Sequence, residues 1–309
     1  MVDIRSASRT HTGGREVNED AALERPDLGL FVLADGAGGE GAGDIASQLA
    51  LGTIATTFEA SGEGRAERAD VDSFGLYVDA RRLVSAIQHA NRAVMERRGS
   101  ENGMGTTVVA ALPVASYGAI HVAHVGDSRC YRWRDGLLEL LTEDHSLLQD
   151  VLEMWPDMGD DVLKKLPRNV VTRALGMNDP LRVTVRTFEL VPRDRYLLCS
   201  DGITEALPPY RINALLGTAQ SVEEAAESLV EAARDAGARD NITALVVVCA
   251  PGNEDAESVA PPSVEPAFLV PTGERESVPP HGDDEPEIVI LGELGQEWRE
   301  ALDELTRKA

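Results

Sequence analysis

"FVLADGAGGEGAGD" (residues 31–44) is an apolar run that stops on an aspartate and breaks into glycines. A strand that ends on a carboxylate and then sheds nearly every side chain fits three structures. It could open a phosphate-cradling loop, supply a metal site, or form a plain glycine-rich turn. The phosphate loop fails on chemistry: a P-loop needs Lys-Ser/Thr after its last glycine, and Asp44–Ile45 stand there instead. An acidic loop would also repel nucleotide phosphates unless a cation came between them.

The same arrangement recurs along the chain. "RYLLCSDG" places Asp201 directly after another apolar run, and "RDNITALVVV" places Asp240 just before a third. "VAHVGDSR" puts Asp127 at the end of a fourth, and "GGREVNED" supplies Glu19 and Asp20 upstream. One such aspartate is ordinarily a turn or helix-capping residue. Several at strand ends are different, because converging carboxylates in a partly desolvated site repel strongly unless a divalent cation neutralises them. No His or Cys keeps metal-ligand spacing with these acids, which argues against zinc. Oxygen-only ligands favour Mg²⁺ or Mn²⁺. Gly36, with no Cβ, would let its backbone carbonyl approach an ion closely.

Other chemistry-bearing residues read as structural. His121 and His124, three apart on an expected strand, point to opposite faces and cannot share an ion. His145 precedes a helical run and reads as a cap or packing residue, and "GMGTT" as tight backbone packing near the site. The three cysteines, Cys130, Cys199 and Cys249, sit in or beside apolar runs and read as reduced thiols of a cytoplasmic protein. None is followed by Arg at the gap that a cysteine-based phosphate loop requires.

The chain has 309 residues, 43% of them hydrophobic, enough for one large domain and an appendage. Its net charge of −24 argues against nucleic acid or an anionic membrane as partner. No apolar stretch approaches the roughly 20 residues that span a bilayer, and the N-terminus lacks a signal-peptide pattern. Strands are expected at 30–34, 106–112, 119–125, 130–133, 137–141, 181–188, 196–199 and 242–249. Helices are expected at 44–58, 80–97 and 222–236. Strands come in runs with helices grouped between them, which predicts an α+β fold of two packed sheets with helices outside. Residues 1–250 read as one domain and 251–282 as a disordered Pro/Glu-rich linker. The stretch 283–309 carries a short apolar patch, "IVIL", and an amphipathic helix with Leu294, Trp298, Leu302 and Leu305 on one face.

"REVNEDA", "LADGAGG", "GMGTT", "VGDSRCYRWRDGLLELLTEDHS", "NVVTRALG", "LLCSDGITEAL" and "RDNITALVV" occur in the order seen in the metal-dependent type 2C protein phosphatases, and the chain resembles the bacterial branch. The resemblance covers residues 1 to about 250. It implies a four-layer α-β-β-α sandwich, two antiparallel sheets flanked by helices, here with a C-terminal tail. It also implies hydrolysis of phosphoserine and phosphothreonine by a hydroxide bridging two Mn²⁺ or Mg²⁺ ions, with no phosphoenzyme. On this pattern Asp35 is shared by both metals, Gly36 offers its carbonyl to one, and Asp201 and Asp240 bind the other. Glu19 and Asp20 hold metal-bound waters, and Arg15 binds phosphate. Asp127, with Glu205 as a further candidate, marks a third, weaker metal site, and Asn241 orients Asp240. Position 37 departs from the pattern: Ala37 stands where relatives often carry His or Met. The implied partners are phosphorylated proteins, Ser/Thr kinases and their substrates. The tail lies outside the resemblance, and its apolar face reads either as docking on the domain's own flank or as a helix-in-groove element for a partner. The rival readings are an inactive phosphoprotein-binding module and a phosphatase dedicated to one regulator, such as an anti-sigma-factor antagonist.

Overall fold

Val32 and Leu33 are adjacent, yet they belong to different cores, and that division explains the architecture. The computed structural model describes residues 2–38, 41–62, 71, 75–99, 103–156, 158–167, 169–251 and 289–290. In it Leu30, Val32 and Ala34 pack beneath helices, while Phe31 and Leu33 face a second sheet. Successive strand side chains point to opposite faces, so an unbroken apolar run needs cover on both sides. Residues 242–251 repeat the pattern: Leu245, Val247 and Cys249 meet Phe31 and Leu33 between the sheets, and Ala244 and Val246 face other helices.

One sheet runs in the order β1 (Val2–His11), β12 (Ile242–Pro251), β11 (Arg195–Cys199), β7 (Arg129–Arg134) and β8 (Leu137–Leu140). The other runs β10 (Thr184–Glu189), β6 (Ala119–Val125), β5 (Val108–Val114), β3 (Leu30–Ala37) and β2 (Asp20–Arg25), with β4 (Gly105–Thr106) paired to the end of β3. Every pair in both sheets is antiparallel. Helices α1 (Ala42–Gly62) and α2 (Val78–Arg98) cover the second sheet through Ala46, Ala50, Ile54, Leu83, Ile87 and Val94. Helices α5 (Asp201–Ala206), α6 (Pro209–Thr218) and α7 (Val222–Asp235) cover the first through Ile203, Ile212, Leu216, Ala226 and Leu229. The result is the expected α-β-β-α sandwich.

The polypeptide between β8 and β10 forms a small satellite core of its own. There α3 (Leu147–Met154) and α4 (Asp160–Leu163) gather Leu147, Val151, Leu163, Leu166 and Val170. Strand β9 (Val170–Val171) pairs in parallel with β13 (Val289–Ile290), which is part of the "IVIL" patch. The rest of the expected linker, and the helix read around Trp298, lie outside the described residues.

The structure departs from the sequence reading in several elements, the short helices α4, α5 and α6 among them. Strands β1 and β2 were not expected, because their Ser, Arg, Thr and Glu hide the pattern. The expected strand at 106–112 is broken at Thr107 into β4 and β5. The expected strand at 181–188 begins only at Thr184. All three cysteines are free and buried, and burial pushes the Cys199 and Cys249 thiols up to about 12. Among the described residues no helix is long and apolar enough to cross a membrane.

Candidate metal centre

Strand register brings the acidic residues to one end of the sandwich. Asp20, first in β2, lies directly opposite Asp35 near the end of β3. β6 ends at Val125 opposite Val108, the start of β5, so Asp127 follows at that same end. In the other sheet Cys199 closes β11 opposite both Ala244, near the start of β12, and Arg129, the start of β7. Asp201 and Asp240 therefore leave the sheet at one edge, and β1 delivers the chain there as well, with His11 opposite Ile242.

Hydrogen bonds lock these ends together. Ser200 Oγ donates to Asp20 Oδ2 at 2.8 Å and accepts from the Thr243 amide at 3.0 Å, joining the two sheets. The Asp35 carbonyl accepts from the Thr107 amide at 2.8 Å and from Thr106 Oγ1 at 2.9 Å. Thr107 Oγ1 in turn accepts from the Asp35 amide at 3.2 Å and bonds Ser128 Oγ at 2.7 Å. The break between β4 and β5 thus turns "GMGTT" into a clamp on Asp35, which is more than close packing.

Asn241 holds Asp240 as expected and has a second task as well. Its backbone amide donates to Asp240 Oδ1 at 2.7 Å, and its side chain holds the loop that carries Arg15. Asn241 Nδ2 donates to the carbonyls of Thr12 at 3.0 Å and Val17 at 2.9 Å, and Oδ1 accepts from the Glu19 amide at 2.8 Å. Glu19 Oε1 accepts from the Gly43 amide at 3.1 Å, in the first turn of α1. Packing requires a glycine at 36: a Cβ there would collide with the Gly43 and Glu19 carbonyls. Arg15 reaches Asp240 with a fork, Nε to Oδ1 at 3.1 Å and Nη2 to Oδ2 at 2.8 Å.

Electrostatics show how close the acids are. Burial, followed by repulsion from Asp20, Asp201, Asp240 and Asp127, raises the Asp35 pKa well above the carboxylate range. Burial does the same to Asp201, reinforced by Asp127, Glu205, Asp240 and Asp20. Asp127 is pushed up to about 7 by burial and by Asp144. Asp20 is pushed up to about 6 by burial, against the hydrogen bonds of Thr243 and Ser200. One oxygen on each of Asp20, Asp127 and Asp201 is buried without a hydrogen-bond donor. Orphaned buried acceptors are costly, and hard anionic oxygens are the donors that Mg²⁺ and Mn²⁺ take. Among the described residues no three His, Cys, Asp or Glu side chains are closed into a ready-made chelate. The donor set fits a divalent, oxygen-preferring metal.

Of the residues singled out from sequence, Asp20, Asp35, Asp127, Asp201, Asp240 and Arg15 meet here, with Glu19 and Gly36 alongside. Glu205, on α5, acts on both Asp127 and Asp201. Ala37 ends β3 opposite Gly105, buried and without a proton to give. His145 is buried, accepts from the Gly126 amide at 3.1 Å and bonds Thr184 Oγ1 at 3.0 Å. Sequence reading missed Ser200, the Thr106–Thr107–Ser128 clamp, and the Arg129–Asp144 ion pair at 2.6 Å. Each lies inside a quoted motif, but a hydroxyl beside a carboxylate carries no signal of its partner.

A family model described as Protein phosphatase 2C matches residues 8–246. A serine/threonine phosphatase stp of Listeria welshimeri is 33% identical over 239 residues, 75% of this chain and 90% of that one. The serine/threonine protein phosphatase PstP of Mycobacterium tuberculosis is 32% identical over 247 residues, 79% of this chain and 44% of that one. The solved catalytic domain of a PstP in complex with two manganese ions superposes with a TM-score of 0.67 at 29% identity. That likeness covers 81% of this chain and 100% of that one.

Proposed function

This chain belongs to the protein phosphatase 2C family, and on that footing we propose that the acidic end of its sandwich is a two-metal active site built from Asp35, Gly36, Asp201 and Asp240. The protein is a metal-dependent serine/threonine phosphatase that acts on phosphorylated proteins. The observation that carries the site assignment is the set of mutually repelling buried carboxylates, three of them with an orphaned oxygen, beside one arginine fork.

Two divalent cations, when bound, would supply charge that neutralises the carboxylates and the phosphate and would make a nearby water more acidic. The chain's own residues do the rest. Asp35, whose backbone Thr106 and Thr107 clamp, would hold both ions. Asp201 and Asp240 would hold one, and the Gly36 carbonyl the other. Glu19 and Asp20 hold the surrounding water, Glu19 while also capping α1. Arg15 presents a planar fork that matches two phosphate oxygens. Ala37 supplies no proton, so the leaving serine or threonine oxygen takes its proton from water.

The finer assignments belong to the same reading. Mn²⁺ and Mg²⁺ both suit the ligands, and Asp127 with Glu205 and Asp201 forms a third, weaker site. The targets are Ser/Thr kinases and their substrates. Residues 1–250 form the catalytic unit, 251–282 a linker, and 283–309 a tail. Val289–Ile290 dock on β9, and the Trp298 face serves a helix-in-groove partner. Against the inactive-module reading, Arg15, Asp35, Asp201 and Asp240 are all present in the chain.

The test is hydrolysis of a phosphothreonine peptide by the full chain before and after chelation. Activity should vanish with EDTA and return with Mn²⁺ or Mg²⁺. Full activity after exhaustive chelation would overturn the proposal.

A further inference from the structure

Arg15 and Asp240 make a paired contact that the phosphate-binding role does not explain. Both Asp240 oxygens are engaged: Oδ1 by Arg15 Nε at 3.1 Å and the Asn241 amide at 2.7 Å, Oδ2 by Arg15 Nη2 at 2.8 Å. A carboxylate offers about four lone-pair sites, so most of this one is spent. The edge of Arg15 that grips it, Nε and Nη2, is also an edge that would grip phosphate.

We propose that Arg15 and a divalent cation compete for the Asp240 carboxylate, so that metal loading releases Arg15 toward the substrate phosphate. The inference rests on the assignment of Asp240 as a metal ligand. A cation coordinated to Asp240 stands about 2.0–2.6 Å from its oxygen, next to a guanidinium of like sign. The ion pair that held Arg15 is then shared with a stronger cation, and repulsion drives the arginine away. The surroundings permit that motion. Asn241 Nδ2 pins the carbonyls of Thr12 and Val17, and the Arg15 amide donates to the Thr12 carbonyl at 3.1 Å. The loop backbone is therefore fixed, while the Arg15 side chain, 36% exposed, has solvent to swing into. Metal and phosphate binding become coupled through one side chain. The cost of breaking the Arg15–Asp240 pair is met when the ion enters, before phosphate arrives.

Removing Arg15 should weaken phosphate binding but tighten metal binding. The experiment is a calorimetric titration of chelator-stripped full-length protein with Mn²⁺ alone. Arg15→Gln should bind the Asp240-dependent ion about five- to tenfold more tightly than wild type, and tenfold is about 1.4 kcal/mol. An unchanged or weaker affinity in a folded Arg15→Gln would overturn the proposal, the weaker case marking Arg15 as a brace for Asp240. If that variant does not fold, the ¹⁵N resonance of Arg15 Nε in the wild type decides. It should move as diamagnetic Mg²⁺ fills the site, and a signal unmoved at saturation counts against release. Asp240→Asn separates the two levels of the reading. It should weaken Mn²⁺ binding, and wild-type affinity there would remove Asp240 from the metal site and take the competition with it.

Discussion

Asp201 is costly to keep. Its carboxylate is buried, faces other acids, and leaves one oxygen without a donor. A folded pKa raised above the unfolded value near 3.9 gives stability that is full below that value and lost as pH rises. Asp201→Asn should therefore stabilise the chelator-stripped protein at pH 7 by roughly 1–2 kcal/mol, the scale of active-site trade-offs, while removing most activity. Urea unfolding and a phosphopeptide assay check both halves, and a less stable variant would contradict the account. His145 works the other way. It is buried and stacked on His124 at 4.6 Å, and burial, the main cause, pushes its pKa down to about 3. Because its Nδ1 accepts the Gly126 amide, the folded state needs the neutral ring. Its contribution is present above the unfolded value and lost as pH falls through it, a loss of about 2 kcal/mol by pH 5. Urea unfolding at pH 7 and pH 5 should show that extra loss in wild type and not in His145→Asn, and equal losses would refute it. The aspartates were legible one by one, because a carboxylate closing an apolar run is odd in sequence. Their hydroxyl partners were not, since Ser200 and Thr107 look like any polar residue until the sheets are assembled.

Strand ends and helix starts meet without clearance at Gly36. The end of β3, the Glu19 backbone and the first turn of α1 approach so closely that a methyl group at 36 would strike two carbonyls. Neither obstacle is a flexible side chain, so Gly36→Ala should cost about 1–3 kcal/mol as an overpacking change. It should also shift α1 relative to Asp35 and depress activity at every metal concentration. Wild-type denaturation and turnover would show that the junction has slack. Element by element, the central strands were readable because they are apolar on both faces, as four layers require. β1 and β2 were not: they lie at sheet edges, where Ser, Arg and Thr are tolerated and the period is blurred. The break at Thr107 is invisible in a run of β-branched residues, since its cause is a hydrogen bond to Asp35 on another strand. α1, α2 and α7 were found by their alanine-rich apolar faces. α5 and α6 are too short to display a period.

Across the whole molecule, two antiparallel sheets drop their acidic residues at one end, and the charge gathered there is the proposed active site. A sandwich held by apolar layers on both sides of each sheet can carry such a site, because its strands are fixed before any ion enters. On the proposed assignment Asp35 lies at the junction of two cation sites. The most direct measurement is a calorimetric titration of the chelator-stripped chain with Mn²⁺, comparing wild type with Asp35→Asn. Wild type should take up two ions in the range that restores phosphopeptide hydrolysis, and Asp35→Asn should lose affinity for both together with its activity. Two ions bound by Asp35→Asn with wild-type affinity would contradict the account.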